Sequence, residues 1–165
     1  FQFLAAMNPC PCGQWGNKQG NCICSSDRIS RYIGKLSAPL LDRIDMHIVV
    51  HALSQAELLA PRAEAPPQSP IIRAQAASLR QLQIQRQGCL NAQLNARACE
   101  EACQLDKEEL AFLSQALNQS KLSARSYHRL LKVARTIADM QEQQQVKISH
   151  LQQAFSFKQM LRAPS

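Results

Sequence analysis

The chain has 165 residues, 45% of them hydrophobic, and its 19 lysines and arginines against 12 acidic residues give a formal charge of +7. This is the composition of a globular protein, so wholesale disorder is excluded. No run of about 18 apolar residues occurs, which excludes a membrane-spanning helix.

The chain opens on an apolar segment, Phe1–Met7. This segment has no basic region before its apolar residues, so it is not a signal peptide. It is typical of a strand belonging to a larger sheet, and we therefore expect the chain to be a fragment of a longer cytoplasmic protein.

Residues 1–59 are predicted to be α/β. Two apolar runs, Phe3–Met7 and Met46–Val50, alternate with turn-rich stretches that hold four of the five glycines. This pattern is typical of buried strands joined by loops. Residues 60–70 contain four of the eight prolines and are predicted to be a linker.

Residues 71–165 are predicted to form an all-α bundle of four or five helices. Ala, Leu, Gln and Arg, all strong helix formers, dominate this part of the chain. The predicted helices cover 71–86, run through Leu90, Leu94 and Ala98, open at the capping-box pair Asp106 and Glu109, and begin at the N-caps Ser123 and Ser149.

Four of the seven cysteines form one cluster: Cys10 and Cys12, then nine residues, then Cys22 and Cys24. Two thiolate pairs facing each other can close a tetrahedral zinc site, and four sulfurs leave no open coordination position. A structural zinc ion is therefore predicted. Two disulfides or four unligated thiols are the alternatives, although disulfides are not favoured in a chain without a leader peptide.

Two arginines stand out by position. Arg43 lies between Asp42 and Asp45, and spacing alone predicts an ion pair with one of them. Arg125 falls in the first turn of the helix that Ser123 caps, where a cation opposes the helix dipole. A bound anion would offset that cost, which hints at phosphate binding.

The alternative for Arg125 is an ordinary exposed basic face shared with Arg129 and Lys132. Residues 73–135 as a whole carry ten basic and five acidic side chains, or +5 of the total +7. Such a balance suits phosphate-bearing partners, nucleotide or nucleic acid, or else a solvated helix surface. The phosphate-loop motif is missing, so this chain alone should not hydrolyse a nucleotide.

Four segments of the chain together resemble the magnesium-chelatase-like AAA+ ATPases of the ComM/YifB type. They are AAMNPCPCG at 5–13, LSAPLLDRID at 36–45, LSARSYHR at 122–129 and KVARTIAD at 132–139. They occur in the family's order and span nearly the whole chain. The resemblance implies the C-terminal part of an AAA+ P-loop ATPase core with a zinc-binding insertion, followed by a helical lid.

The resemblance also implies roles for three residues. Asn8 matches sensor 1, which orients the attacking water near the γ-phosphate. Arg43 matches the arginine finger, whose planar, always-charged fork stabilises the transferring phosphoryl group in a neighbouring subunit. Arg125 matches sensor 2 of the lid, which contacts the nucleotide of its own subunit. The phosphate loop and the metal-binding acids would lie upstream of Phe1.

By the same resemblance, the intact protein is expected to be an ATP- and Mg²⁺-dependent homo-hexamer that translocates DNA in branch migration during transformation or recombination. One alternative is a chelatase-type motor acting on a protein partner. The other is a zinc-bearing helical module that binds nucleic acid without any role in ATP hydrolysis.

Overall fold

The computed structural model describes residues 2–17, 20–50, 52–54, 56, 59, 68–120 and 123–158. Within these ranges there are seven α-helices, one 3-10 turn and no β-strand. The chain divides into two compact units, one within Phe1–Ala60 and one within Pro61–Lys158. Most of the predicted linker, residues 60–67, lies outside the described residues.

The first unit contains two short helices, α1 (Ser26–Ile33) and α2 (Ala38–Arg43). Each begins at a serine whose side chain accepts a hydrogen bond from a backbone N–H of the first turn. Ser25 accepts from Arg28 N at 3.4 Å and Ser37 accepts from Leu40 N at 3.3 Å. These caps satisfy amides that a helix leaves without an internal partner.

The core of the first unit is small and is built on the cysteine cluster. Cys10, Ile29 and Ile33 are buried, so α1 lays its apolar side against the first cysteine. The predicted strands Phe3–Met7 and Met46–Val50 are not strands in the part of the chain described here. A strand exists only when a neighbouring strand pairs with it, so the α/β character of residues 1–59 stays a prediction.

The second unit is a bundle of five helices. They are α3 (Gln68–Gln87), α4 (Ala96–Cys103), α5 (Lys107–Ser120), α6 (Ala124–Met140) and α7 (Ile148–Ser156), with a 3-10 turn at Asn91–Gln93 between α3 and α4. The helical part of the predicted fold agrees with this bundle. Ser123 caps α6 as predicted, since its side chain accepts from Ser126 N at 3.2 Å.

Two details of the predicted bundle are wrong. The helix predicted through Leu90, Leu94 and Ala98 does not run continuously, because a 3-10 turn covers Asn91–Gln93 and a new helix begins after Asn95, whose side chain accepts from Ala98 N. The last helix begins one residue before Ser149, and the His150 ring rather than a serine hydroxyl accepts the Lys147 N–H, at 2.9 Å.

Helix α6 is the centre of the bundle and packs against α3, α4, α7 and the 3-10 turn. Its apolar side is almost completely buried, and the core also takes in Cys99, Cys103 and residues of α5 and α7. The α6 residues in this core are Leu130, Leu131, Ala134, Ile137 and Ala138. The lid-like bundle is therefore organised around the helix that carries Arg125.

Candidate functional site

The four predicted ligands Cys10, Cys12, Cys22 and Cys24 come together in the first unit, with all four Sγ atoms within 4.8 Å of one another. The Sγ of Cys10 lies 3.3 Å from that of Cys12 and 3.8 Å from that of Cys22. The Sγ atoms of Cys12 and Cys22 are 3.6 Å apart. The cysteines are free thiols, since a disulfide would require a sulfur–sulfur distance near 2.05 Å.

This arrangement fits a tetrahedral metal ion. Zinc–sulfur bonds of about 2.3 Å place the sulfurs of a regular tetrahedron ~3.8 Å apart. The three distances among Cys10, Cys12 and Cys22 lie close to that spacing. Four soft sulfur donors and no carboxylate in the cluster favour zinc over magnesium or calcium.

The thiols of the cluster differ in acidity. Backbone N–H groups of Gln14 and Ile23 bond to the Cys12 sulfur and lower its pKa to about 6. Burial raises the pKa of Cys24, and its contacts with the Cys12 and Cys10 thiols raise it further. A metal ion that binds all four as thiolates must displace the protons of those sulfurs that are thiols.

Asn8 lies in the first unit, directly before the metal cluster, and is exposed. Its side-chain amide lies beside Gly13: a Cβ built on that glycine would meet the Asn8 Nδ2 atom at 3.7 Å. The backbone N–H of Gly13 donates to the carbonyl oxygen of Cys10 at 2.9 Å. We call residues Cys10–Gly13 the metal turn. Asn8 thus rests against the turn that presents two of the four sulfurs.

Arg43 is the last residue of α2 and is exposed. Its Nη1 atom donates to the Pro39 carbonyl oxygen, one helical turn back, at 2.8 Å. The guanidinium therefore lies on the surface of its unit and not in the core. The predicted ion pair with Asp42 or Asp45 stays a prediction.

Arg125 lies in the first turn of α6 and is exposed, while the neighbouring Ser126 is completely buried. The predicted basic face is only partly available, because the Nζ atom of Lys132 donates to the Ala92 carbonyl oxygen at 2.9 Å. Arg125 belongs to the second unit and Asn8 and Arg43 to the first.

A buried charged cluster in the second unit was not predicted from the sequence. Its centre is Asp139, whose carboxylate accepts from Arg135 Nε at 3.1 Å, from Asn91 Nδ2 at 2.8 Å and from both Nη atoms of Arg86. Arg135 also donates to the carbonyl oxygens of Ala102, Gln143 and Gln144. We call Asp139, Arg135, Arg86 and Asn91 the ionic core.

The ionic core keeps its central carboxylate ionised. Burial acts to raise the pKa of Asp139, but hydrogen bonds from Arg86 and Asn91 and the two guanidinium charges outweigh it, so the pKa lies below its ordinary value. The only sequence signal was an Arg and an Asp at i,i+4 on the apolar side of α6, within the KVARTIAD segment. That signal does not separate a buried pair from a surface pair.

None of the described helices is both long enough and apolar enough to cross a bilayer.

Two family patterns match the chain in succession. Residues 1–58 match "Magnesium chelatase, subunit ChlI", and residues 67–158 match "Magnesium chelatase, subunit ChlI C-terminal". Together they cover all three candidate nucleotide-site residues and the four cysteines.

Similar curated proteins include the competence protein ComM of Haemophilus influenzae, 41% identical over 98% of this chain. The uncharacterized protein YifB of Salmonella typhimurium is 35% identical over 96% of it, and YifB of Escherichia coli is 34% identical over the same share. In each case the match covers 31% of the relative. The chain thus spans about a third of the length of these relatives.

Proposed function

Because the chain belongs to the magnesium chelatase family of AAA+ proteins and is related to ComM and YifB, we propose that it is the sensor and lid portion of a ring-forming ATPase. The observation that carries the proposal is the position of Arg43 at the end of α2, exposed rather than in the core. An arginine finger must reach a triphosphate on a neighbouring subunit, which a buried guanidinium cannot do.

In this proposal Arg43 acts in trans. Its guanidinium would stabilise the charge that spreads over the γ-phosphoryl oxygens as the bond to the leaving group breaks. Its side chain is exposed at the end of α2, where its Nη1 atom donates to the Pro39 carbonyl oxygen. Asn8 would act in its own subunit, where its side-chain amide can hold the attacking water in line with the γ-phosphate.

Arg125 would act in cis from the lid. It lies in the first turn of α6, where the positive end of the helix dipole also favours an anion. A phosphate held there would couple the lid bundle to the nucleotide state, because α6 is the helix around which the bundle packs.

ATP and Mg²⁺ would be held by the full-length protein rather than by this chain alone, because the chain contains no phosphate-loop motif. The site in each ring position would then combine residues of two subunits, in a homo-hexamer with head-to-tail interfaces. Magnesium supplies charge neutralisation of the phosphates when bound. A cytoplasmic location is part of the proposal and agrees with the seven free thiols.

In this proposal the ATPase binds DNA and moves along it. Helix α3 carries Arg73, Arg80 and Arg86 and has no acidic residue. Arg73 and Arg80 are exposed, so two cations project from the bundle without an acidic neighbour on the same helix. Such side chains bind phosphate backbones independently of sequence.

Zinc is the proposed occupant of the cysteine cluster, in a structural role. The cluster forms the core of the first unit together with Ile29 and Ile33. An ion bound by all four sulfurs would therefore stabilise the segment that carries Asn8.

The test of the proposed function is Arg43→Ala in the full-length protein, with Arg31→Ala as the matched control. Arg31 is an exposed arginine of α1 in the same unit. We expect Arg43→Ala to lower ATP turnover by about 10³–10⁵ while nucleotide affinity is retained. The control should turn over like the wild type. Normal turnover of Arg43→Ala would refute the finger assignment.

A further inference from the structure

The segment that links Asn8 to the metal cluster is short and constrained. Only Pro9 separates Asn8 from Cys10, and a proline ring fixes the φ angle of that link. Cys10 itself is completely buried, and its sulfur also accepts the Trp15 N–H at 3.4 Å. The backbone that carries Asn8 is therefore attached to a completely buried residue of the first unit.

A second constraint acts on the Asn8 side chain. Gly13 closes the metal turn at a φ of 77°, a conformation in which L residues are strained. With no Cβ at Gly13, the Asn8 amide lies against the turn, and a Cβ there would lie 3.7 Å from Nδ2 and 3.8 Å from Cγ. The amide thus packs on the turn while the residue as a whole stays exposed.

We propose that the metal turn is the element that positions the Asn8 amide for ATP hydrolysis, and that Gly13 is a positioning residue. This inference rests on the role given to Asn8 in the proposed function. The turn carries Cys10 and Cys12, so an ion held by the four sulfurs would hold in place the turn on which the Asn8 amide packs. A change in the turn should therefore alter the rate of hydrolysis and not the affinity for nucleotide.

The structure supplies a matched pair of substitutions for this test. Gly16 has a φ of 80°, close to that of Gly13, but a Cβ built on it meets nothing within 4 Å. Asparagine is the side chain that best tolerates such a φ. Gly13→Asn and Gly16→Asn therefore carry the same backbone strain in the same segment, and only the first places new atoms against Asn8.

Three quantities are measured in the full-length protein: bound zinc per chain, the Kd for a non-hydrolysable ATP analogue, and kcat. We expect Gly13→Asn to keep its zinc and its Kd and to lose roughly 10- to 100-fold in kcat, as a misplaced catalytic group does. Gly16→Asn should match the wild type in all three. If Gly13→Asn loses its zinc, the inference is overturned, because the substitution then acts on the metal site and not on Asn8.

Asn8→Ala separates this inference from the proposed function. If Asn8→Ala hydrolyses ATP normally, both the sensor assignment and the inference are overturned. If Asn8→Ala is inactive while Gly13→Asn turns over like Gly16→Asn, the sensor role stands and the inference alone is overturned. Loss of kcat in Asn8→Ala and Gly13→Asn, with Gly16→Asn unaffected, supports both.

Discussion

Arg135 and Asp139 form an ion pair one turn apart on α6, with their side chains 0% and 1% exposed and 3.0 Å between Nη2 and Oδ1. The pair is not isolated. Arg86 brings the end of α3 to the carboxylate, and Arg135 reaches the backbone carbonyl of Ala102 at the end of α4. Each buried charge therefore has an opposite charge or several hydrogen bonds, the condition under which burial is tolerated.

We expect Arg135→Ala to lower the free energy of unfolding of the chain by about 3–5 kcal/mol, because it takes a guanidinium partner from the buried Asp139 carboxylate and the Arg135 hydrogen bonds from three carbonyl groups. Urea unfolding followed by circular dichroism measures this. Arg97→Ala is the matched control. Arg97 pairs with Glu101 at the same i,i+4 spacing, but the two side chains are 88% and 63% exposed. The control should leave stability close to that of the wild type, and equal effects of the two substitutions would refute a special role for the ionic core.

The buried His150 predicts a pH dependence of stability. Burial, with the Arg135 charge, lowers its pKa from the ordinary value of 6.5. The unfolded chain therefore binds a proton at a pH where the folded chain does not, so stability falls as the pH drops below about 6.5. Protonation would also remove the acceptor for the Lys147 N–H.

Unfolding free energies measured at pH 7.5 and pH 5.5 test this dependence on the chain. His150→Asn, which retains an acceptor but does not titrate, should show a smaller loss between the two values. A wild-type and a variant chain that lose stability in parallel over this range would contradict the assignment to His150.

The cysteine cluster predicts one zinc ion per chain when the protein is purified without added metal. Cys24→Ser removes one of the four sulfurs and should abolish stoichiometric zinc in elemental analysis. Cys89→Ser is the control, because Cys89 lies half-buried in the second unit and outside the cluster. A wild-type protein that is well folded and metal-free would overturn the zinc proposal, as would zinc retained in Cys24→Ser.

For DNA, we expect the double variant Arg73→Ala, Arg80→Ala of the full-length protein to bind duplex or branched DNA more weakly. The slope of log K against log salt should become shallower by about 0.9 for each phosphate that the variant no longer neutralises. Arg97→Ala is the control, since Glu101 already pairs with that guanidinium. DNA that neither binds nor stimulates ATP turnover would favour a chelatase-type motor acting on a protein partner.

Local sequence signals predicted the helices of the bundle well, but predicted where the helices begin and end less well. The cap at Ser123 followed from the residue type, because a serine before an apolar-periodic run satisfies a first-turn amide. The break between Leu90 and Ala98 did not, because Leu and Ala fit a helix, whereas the chain forms a 3-10 turn at Asn91–Gln93 and starts a new helix after Asn95. At Lys147 the acceptor for the cap N–H is the ring of His150, three residues later, and the residue type at the cap position does not predict it.

The candidate site was likewise predicted only in part from the sequence. The four-sulfur cluster was predicted because two C-x-C pairs on either side of a polar, glycine-bearing loop can face each other and close a tetrahedral site. The ionic core was not predicted, because its members lie as far apart as Arg86 and Asp139 and meet only after α3 packs on α6. The roles proposed for Asn8, Arg43 and Arg125 came from family resemblance, because position in the sequence gave only a hint of phosphate binding at Arg125 and an ion pair at Arg43.

The most direct test of the account mixes two inactive variants of the full-length protein, Arg43→Ala and Arg125→Ala, before ring assembly. If Arg43 acts in trans and Arg125 in cis, the nucleotide of an Arg43→Ala subunit keeps that subunit's own Arg125. It receives Arg43 from an adjacent Arg125→Ala subunit, so the site at this interface is complete. An equimolar random mixture should then regain about a quarter of the wild-type ATP turnover. A mixture that stays as inactive as either variant alone would contradict the proposal that this chain supplies one residue to its own nucleotide and one to its neighbour's.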